Sequence, residues 1–115
     1  MTDCIFCRIV SGEIPAKIAK RTPDAVAFYD LNPQAPVHVL VIPTTHLAAG
    51  RDARGEDGTR LLGRTLAFTF EVATELGLDA AGYRVVTNTG SDGGQSVFHL
   101  HFHLLGGRRM GWPPG

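Results

Sequence analysis

Between Val97 and Leu105 the chain reads Val-Phe-His-Leu-His-Phe-His-Leu-Leu, an alternation of histidine with large apolar side chains. That pattern suits one regular backbone. Successive side chains of a strand point to opposite faces, so His99, His101 and His103 share one face and Leu100, Phe102 and Leu104 the other. On a helix the same residues would scatter round the axis. Same-face neighbours on a strand stand roughly 6.5–7 Å apart. Three imidazoles so placed can address one small substrate or one metal ion, while the apolar face turns to the core.

The rest of the chain supplies the other elements. Cys4 to Val10 reads as a helical turn or short helix, broken at Ser11-Gly12. Lys17 to Lys20, Ala25 to Asp30, Val37 to Ile42 and Tyr83 to Asn88 read as strands, separated by turn segments such as Leu31-Asn32-Pro33-Gln34-Ala35-Pro36. From Thr59 to Leu76 the period becomes helical, with Leu62, Leu66, Phe70, Ala73 and Leu76 on one face. Asp57 or Thr59 is placed to cap its start, and Gly77 sits where a left-handed C-terminal cap belongs. Ala48 to Gly58 and Thr89 to Ser96 are expected as loops. With 115 residues the chain makes one domain, 1–115, with 106–115 as a C-terminal tail. The predicted fold class is α+β: a five-stranded antiparallel sheet in meander order, with one long helix and a short N-terminal helix. So small a sheet often completes its burial by dimerising.

The histidine face has several readings: a solvated polar face, a metal site, or nucleophilic catalysis by imidazole. The loop before it bears on the choice. Asn88-Thr89-Gly90-Ser91-Asp92-Gly93-Gly94-Gln95-Ser96 brings glycines and small polar groups next to the histidines. Glycine lets backbone N–H groups approach an anion closely. Running straight into three imidazoles, the loop suggests a phosphate held by amides and attacked by a histidine. A neutral imidazole is a nucleophile near pH 7, provided its other nitrogen is held by an acceptor.

Cys4-x-x-Cys7 has metal-knuckle spacing but makes only half a site. His46, beyond the strand that ends at Pro43, and His99 are available to complete a closed, structural Cys2His2 set. Two reduced thiols near the surface are the simpler alternative. His38 is either a partner of the three imidazoles or a hydrogen-bonded core residue. Asp30, at a strand end, is placed to accept hydrogen bonds from a ribose diol.

Composition excludes some classes. Lys and Arg number 11, as do Asp and Glu, so no broad basic field exists for nucleic acid or for an anionic membrane surface. The start, Met1-Thr2-Asp3-Cys4, does not read as a secretory leader. A reducing, cytoplasmic location is the default expectation.

His99-Leu100-His101-Phe102-His103-Leu104-Leu105 resembles the signature of the histidine-triad (HIT) superfamily. The flanking Gly90 to Val97, Gly106 to Gly115, Ile14-Pro15-Ala16-Lys17 and Asn32 to His38 look like its Hint branch, the histidine triad nucleotide-binding proteins. The resemblance implies a homodimer whose sheets join into one. It implies binding of purine nucleoside monophosphates and hydrolysis of nucleoside 5′-phosphoramidates. His101 would attack the α-phosphorus and form a nucleotidyl-histidine. His103 would contact phosphate oxygens and help in proton transfer, and His38 would support both. Ser96, Asn88, Gly94 and Gln95 would meet the phosphate or leaving group. Asp30 would take the ribose, and Ile5, Phe6, Ile9, Phe28, Leu31 and Leu40 would line the base pocket. Trp112 in the tail would reach toward the partner's site. Some relatives in the superfamily carry structural zinc on positions matching Cys4, Cys7, His46 and His99, and the chemistry needs no catalytic metal. Alternatives are a dinucleoside polyphosphate hydrolase, a nucleotidyl transferase, a non-catalytic nucleotide-binding module and a zinc hydrolase.

Overall fold

The structure is a computed structural model that describes residues 3–115; Met1 and Thr2, where the expectation about a leader begins, lie outside the described residues. In chain order the elements are α1 (Ile5–Val10), β1 (Ile18–Arg21), β2 (Ala25–Tyr29), β3 (Val37–Pro43), α2 (Gly55–Glu75), β4 (Tyr83–Val86) and β5 (Phe102–Gly106). A single 3-10 turn, Gly50–Asp52, precedes α2.

The five strands form one antiparallel sheet in the order β1-β2-β3-β5-β4. The expected meander is corrected at one point. The chain leaves β3 through α2, lands at the far edge as β4, and returns between them as β5. A helix of 21 residues is about 30 Å long, enough to carry the chain across the sheet. The last strand therefore becomes a central one.

Both faces of the sheet are covered. Ala25, Ala27, Val39, Val41, Phe102 and Leu104 pack against Phe68, Val72 and Ala73 of α2. Val26, Phe28, Leu40 and Ile42 turn the other way and pack against Phe6 and Ile9 of α1. This is why β2 and β3 read as continuous apolar runs rather than alternations. Each such side chain, fully buried, stabilises the fold by roughly 1.5–3 kcal/mol before entropy is counted.

Two expectations for α2 are corrected. It starts at Gly55, with Arg54 as its N-cap residue and no side-chain cap; Asp57 lies in the first turn beside Glu56, where negative charge suits the helix dipole. Of its expected face, Ala73 is buried and Leu62, Leu66 and Leu76 pack partly buried against the core, but Phe70 is 46% exposed, and the face also takes in Thr65, Phe68, Thr69 and Val72. The threonines disguised that face. Their hydroxyls donate to the carbonyls of Leu61 (2.7 Å) and Thr65 (2.9 Å), one turn back, so they are buried without a lost hydrogen bond. The helix ends as expected: Leu76 caps it and Gly77 follows at φ +75°.

The histidine strand is also shorter than expected. Pairing with β3 begins at Phe102 opposite Val41, so of the three histidines only His103 lies in the ladder. β3 runs on to Pro43 paired only with β2 there, and residues 99–101 take other partners. The Leu100 amide donates to the Leu47 carbonyl, and the Thr87 hydroxyl donates to the His101 carbonyl at 2.9 Å. The alternation of faces persists all the same. Leu100, Phe102 and Leu104 belong to the α2 side, while His99 and His101 meet Phe6 on the α1 side and His103 pairs with Leu40 there.

Candidate active site and metal centre

The α1 side of the sheet carries two adjoining histidine groups and an apolar cavity. The cavity, about 210 Å³, is lined by Ile5, Phe6 and Ile9 of α1, Phe28 and Tyr29 of β2, Asp30, Leu31, Leu40 and residues 14–17. It is smaller than the roughly 300–1,000 Å³ that takes a drug-sized ligand, so it suits one ring system with the rest of the ligand outside. The six apolar residues assigned to the base by resemblance all line it, with Asp30 beside them. Leu31 is fully exposed at its mouth. Ile14, Pro15, Ala16, Lys17 and Tyr29 also line it; no role was assigned to them from sequence. Lys17 holds its ammonium 4.9 Å from the centre of the Tyr29 ring, a cation–π contact that closes one wall.

Asp30 leads from the cavity to the first histidine group. One carboxylate oxygen accepts from the Asn32 amide at 2.8 Å, and the other stands 3.5 Å from His38 Nε2. His38 Nε2 is in turn 2.9 Å from His103 Nδ1. The ring of His101 lies 5.0 Å from that of His103 and meets Phe6 edge-on at 5.2 Å, centroid to centroid. His101 is only 5% exposed. The three imidazoles share a face as expected, but α1 covers it.

Backbone groups decide which nitrogen of each ring carries a hydrogen. A carbonyl can only accept and an amide can only donate. The Gln34 amide donates to His38 Nδ1 at 3.0 Å, so the hydrogen of neutral His38 is on Nε2. That N–H points to His103 Nδ1, which leaves the hydrogen of His103 on Nε2. His101 Nδ1 lies 2.8 Å from the His99 carbonyl and so donates to it, leaving the lone pair on Nε2. Burial pushes the pKa of His38 down, opposed by the charge of Asp30. His103 is pushed down to about 4, first by burial and then by repulsion from charge on His101 and His38. Near pH 7 His103 is thus a neutral hydrogen-bond donor through Nε2.

The second group is Cys4, Cys7, His46 and His99. His99 Nδ1 lies 3.3 Å from Cys4 Sγ, 3.5 Å from Cys7 Sγ and 3.2 Å from His46 Nδ1; Cys7 Sγ lies 3.3 Å from His46 Nδ1. Zinc–nitrogen and zinc–sulfur bonds of about 2.0 and 2.3 Å give tetrahedral edges of about 3.3–3.6 Å, so the donor set fits zinc. The other nitrogen of His99 supports the fit: Nε2 donates to the Pro43 carbonyl at 2.9 Å, which turns the Nδ1 lone pair toward the sulfurs. Asp30, His38 and His103 also gather three donor atoms. They suit an ion poorly, because a ligating His38 Nε2 would put its hydrogen on Nδ1, against the Gln34 amide.

The glycine loop is organised differently from the expected cradle. The Gly94 and Gln95 amides donate to the carbonyls of Ser91 and Gly90, both at 3.0 Å. The Gln95 side chain is buried; it accepts from the Gly90 amide at 2.9 Å and donates to the carbonyls of Ala48 (2.7 Å) and Val97 (3.1 Å). Gln95 therefore shapes the loop. Gly93 is sterically required, since a Cβ there would stand 2.5 Å from the Thr89 carbonyl oxygen. Ser96 is exposed just beyond, and Asn88 is half-buried at the start of the loop. Trp112 is 84% exposed and does not line the cavity; its tail is tied back where Arg84 donates to the Gly111 carbonyl at 2.7 Å. Thr87, which holds the His101 carbonyl, had no sequence signal beyond its place before the loop.

A family model described as HIT domain matches residues 11–110. An uncharacterized HIT-like protein of Synechococcus elongatus is 50% identical over 98% of this chain and 97% of its own length. A 14 kDa zinc-binding protein of Brassica juncea is 45% identical over 98% of this chain and all of its own. The crystal structure of a HIT family hydrolase from Legionella pneumophila superimposes with a TM-score of 0.93 at 47% identity, covering 98% of this chain and all of that one.

Proposed function

The chain belongs to the HIT domain family, and on that premise we propose that it hydrolyses nucleoside 5′-phosphoramidates through a nucleotidyl-histidine intermediate. Its similarity to HIT family hydrolases supports hydrolysis in general. The observation that carries the finer reading is the 2.8 Å hydrogen bond from His101 Nδ1 to the His99 carbonyl. It leaves Nε2 as the reacting nitrogen and stabilises the positive charge that the ring acquires when it bonds to phosphorus.

The purine enters the cavity beside Phe6 and Leu40, the ribose hydroxyls meet Asp30, and the α-phosphate lies at His101. His101 Nε2 bonds to phosphorus as the P–N bond breaks. The amine leaves with that electron pair and takes a proton from solvent, and the exposed hydroxyl of Ser96 is assigned to hydrogen-bond it. His103 Nε2–H donates to a phosphoryl oxygen, the kind of preorganised donor that lowers a barrier most. Water then displaces histidine and releases the nucleoside monophosphate. Covalent catalysis replaces one hard displacement by two easier ones. Cys4, Cys7, His46 and His99 hold zinc as a structural ion in this proposal, in a reducing compartment such as the cytoplasm. Two chains form the working dimer.

His101→Ala should lower hydrolysis of an adenosine phosphoramidate by at least about 10³-fold while AMP still binds. Mass spectrometry of protein quenched during turnover should find the nucleotide on His101. Normal turnover by the variant overturns the mechanism, and faster cleavage of diadenosine polyphosphates than of the phosphoramidate overturns the substrate class.

A further inference from the structure

We infer that occupancy of the metal centre and occupancy of the nucleotide cavity are thermodynamically linked, through helix α1 and through His99. The inference rests on the nucleotide reading above and extends it. Two separate connections carry it.

The first is α1. Cys4 caps this helix, its sulfur accepting from the Cys7 amide at 3.3 Å, and Cys7 lies within it. The helix has only 6 residues, far below the roughly 12–15 that stand alone in water. Its place therefore depends on what it packs against and on what its two sulfurs bind. The same helix contributes Ile5, Phe6 and Ile9 to the cavity wall. Phe6, between the sulfurs in sequence, meets Phe28 at 5.5 Å, His99 at 5.9 Å and His101 at 5.2 Å, edge-on each time.

The second is His99, which acts as a positioning residue for His101. Its ring is held at Nε2 by the Pro43 carbonyl and faces the metal donors at Nδ1. Its backbone carbonyl accepts from the nucleophile's Nδ1. A ring anchored at both nitrogens fixes the peptide that carries this carbonyl, so anchoring at the metal centre also selects the reacting nitrogen of His101. Linkage is reciprocal: whatever factor the metal adds to nucleotide affinity, the nucleotide adds to metal affinity.

The test uses the full chain, labelled with 15N, in zinc-loaded form and after removal of zinc by a chelator under conditions where far-UV circular dichroism is kept. AMP is titrated into each by calorimetry, and long-range ¹H–¹⁵N correlation shows which nitrogen of His101 carries the hydrogen. The stripped protein should bind AMP at least about tenfold more weakly, and its His101 should populate both neutral forms instead of one. Equal AMP affinity and an unchanged His101 in the two forms overturn the linkage and leave the nucleotide reading intact. Failure of the loaded protein to bind AMP overturns that reading and the linkage with it. Should stripping unfold the chain, zinc affinity is measured on the loaded protein by competition with a chromophoric chelator, with and without AMP. Zinc affinity unchanged by AMP in the unsubstituted chain then overturns the linkage; Phe6→Leu should pull the AMP-dependent gain toward one, and a gain equal to that of the unsubstituted chain overturns the route through α1.

Discussion

At the scale of single residues, the cluster works because backbone groups settle each imidazole's hydrogen before any ligand arrives. The Gln34 amide, the His99 carbonyl and the Pro43 carbonyl each assign one ring. Burial then keeps His38 and His103 neutral, which has a consequence for stability. The pKa of His103 is about 4 in the folded chain and returns to about 6.5 on unfolding. Between those values the unfolded chain binds more protons, so stability falls as pH falls. The contribution is complete above pH 6.5 and lost progressively as pH falls to about 4, at no more than about 1.4 kcal/mol per pH unit for this group. His38, lowered as well, acts in the same direction. Urea midpoints recorded from pH 7 to pH 4.5 should fall, and His103→Asn should flatten the trend; a trend unchanged in that variant refutes this account.

At the scale of elements, α2 is held by a face centred away from Phe70, with Leu62, Leu66 and Leu76 at its partly buried margin. Phe68 is the large side chain at the centre of that face, packed with Val72 and Ala73 on β2, β3 and β5. Phe68→Ala removes it where the sheet cannot collapse to fill the space. It should cost about 3–5 kcal/mol in a urea unfolding experiment. The helix, its end at Gly77 and four of the strands were legible from periodicity and turn residues. The exact face was not, because Thr65 and Thr69 satisfy their hydroxyls within the helix and so bury as if apolar. The length of β5 was not legible either: its ladder with β3 stops at Val41 opposite Phe102 although β3 runs on to Pro43, because residues 99–101 bond to Leu47 and Thr87 instead.

At the scale of the molecule, an edge of the sheet and an exposed aromatic side chain lie side by side. β4 is an edge strand of the sheet, and Phe70 stands exposed beside it with its ring 6.3 Å from that of Tyr83. A bare edge next to an exposed aromatic side chain is the surface on which two sheets could join. We propose that the dimer forms there, with two β4 strands continuing the sheet and two α2 helices meeting at Phe70. Phe70→Asp should turn a dimer into a monomer in sedimentation velocity, with far-UV circular dichroism retained. A variant that still sediments as a dimer places the contact elsewhere.

Local sequence by itself determined the alternation that sorts three imidazoles from three core side chains, the helical period and cap of α2, and the half-site at Cys4 and Cys7. Those features depend on backbone geometry and residue type over a few positions. Tertiary structure alone decided that β5 returns between β3 and β4, that α1 roofs the histidines, that Gln95 is spent on its own loop, and which nitrogen of each ring is free. The strand order and the roof depend on partners tens of residues away, as do the contacts of His99 with the Pro43 carbonyl, His38 with His103 and Gln95 with the Ala48 carbonyl. The bonds of His38 to the Gln34 amide and of His101 to the His99 carbonyl are local in sequence, but only the folded backbone brings those groups into reach of the rings.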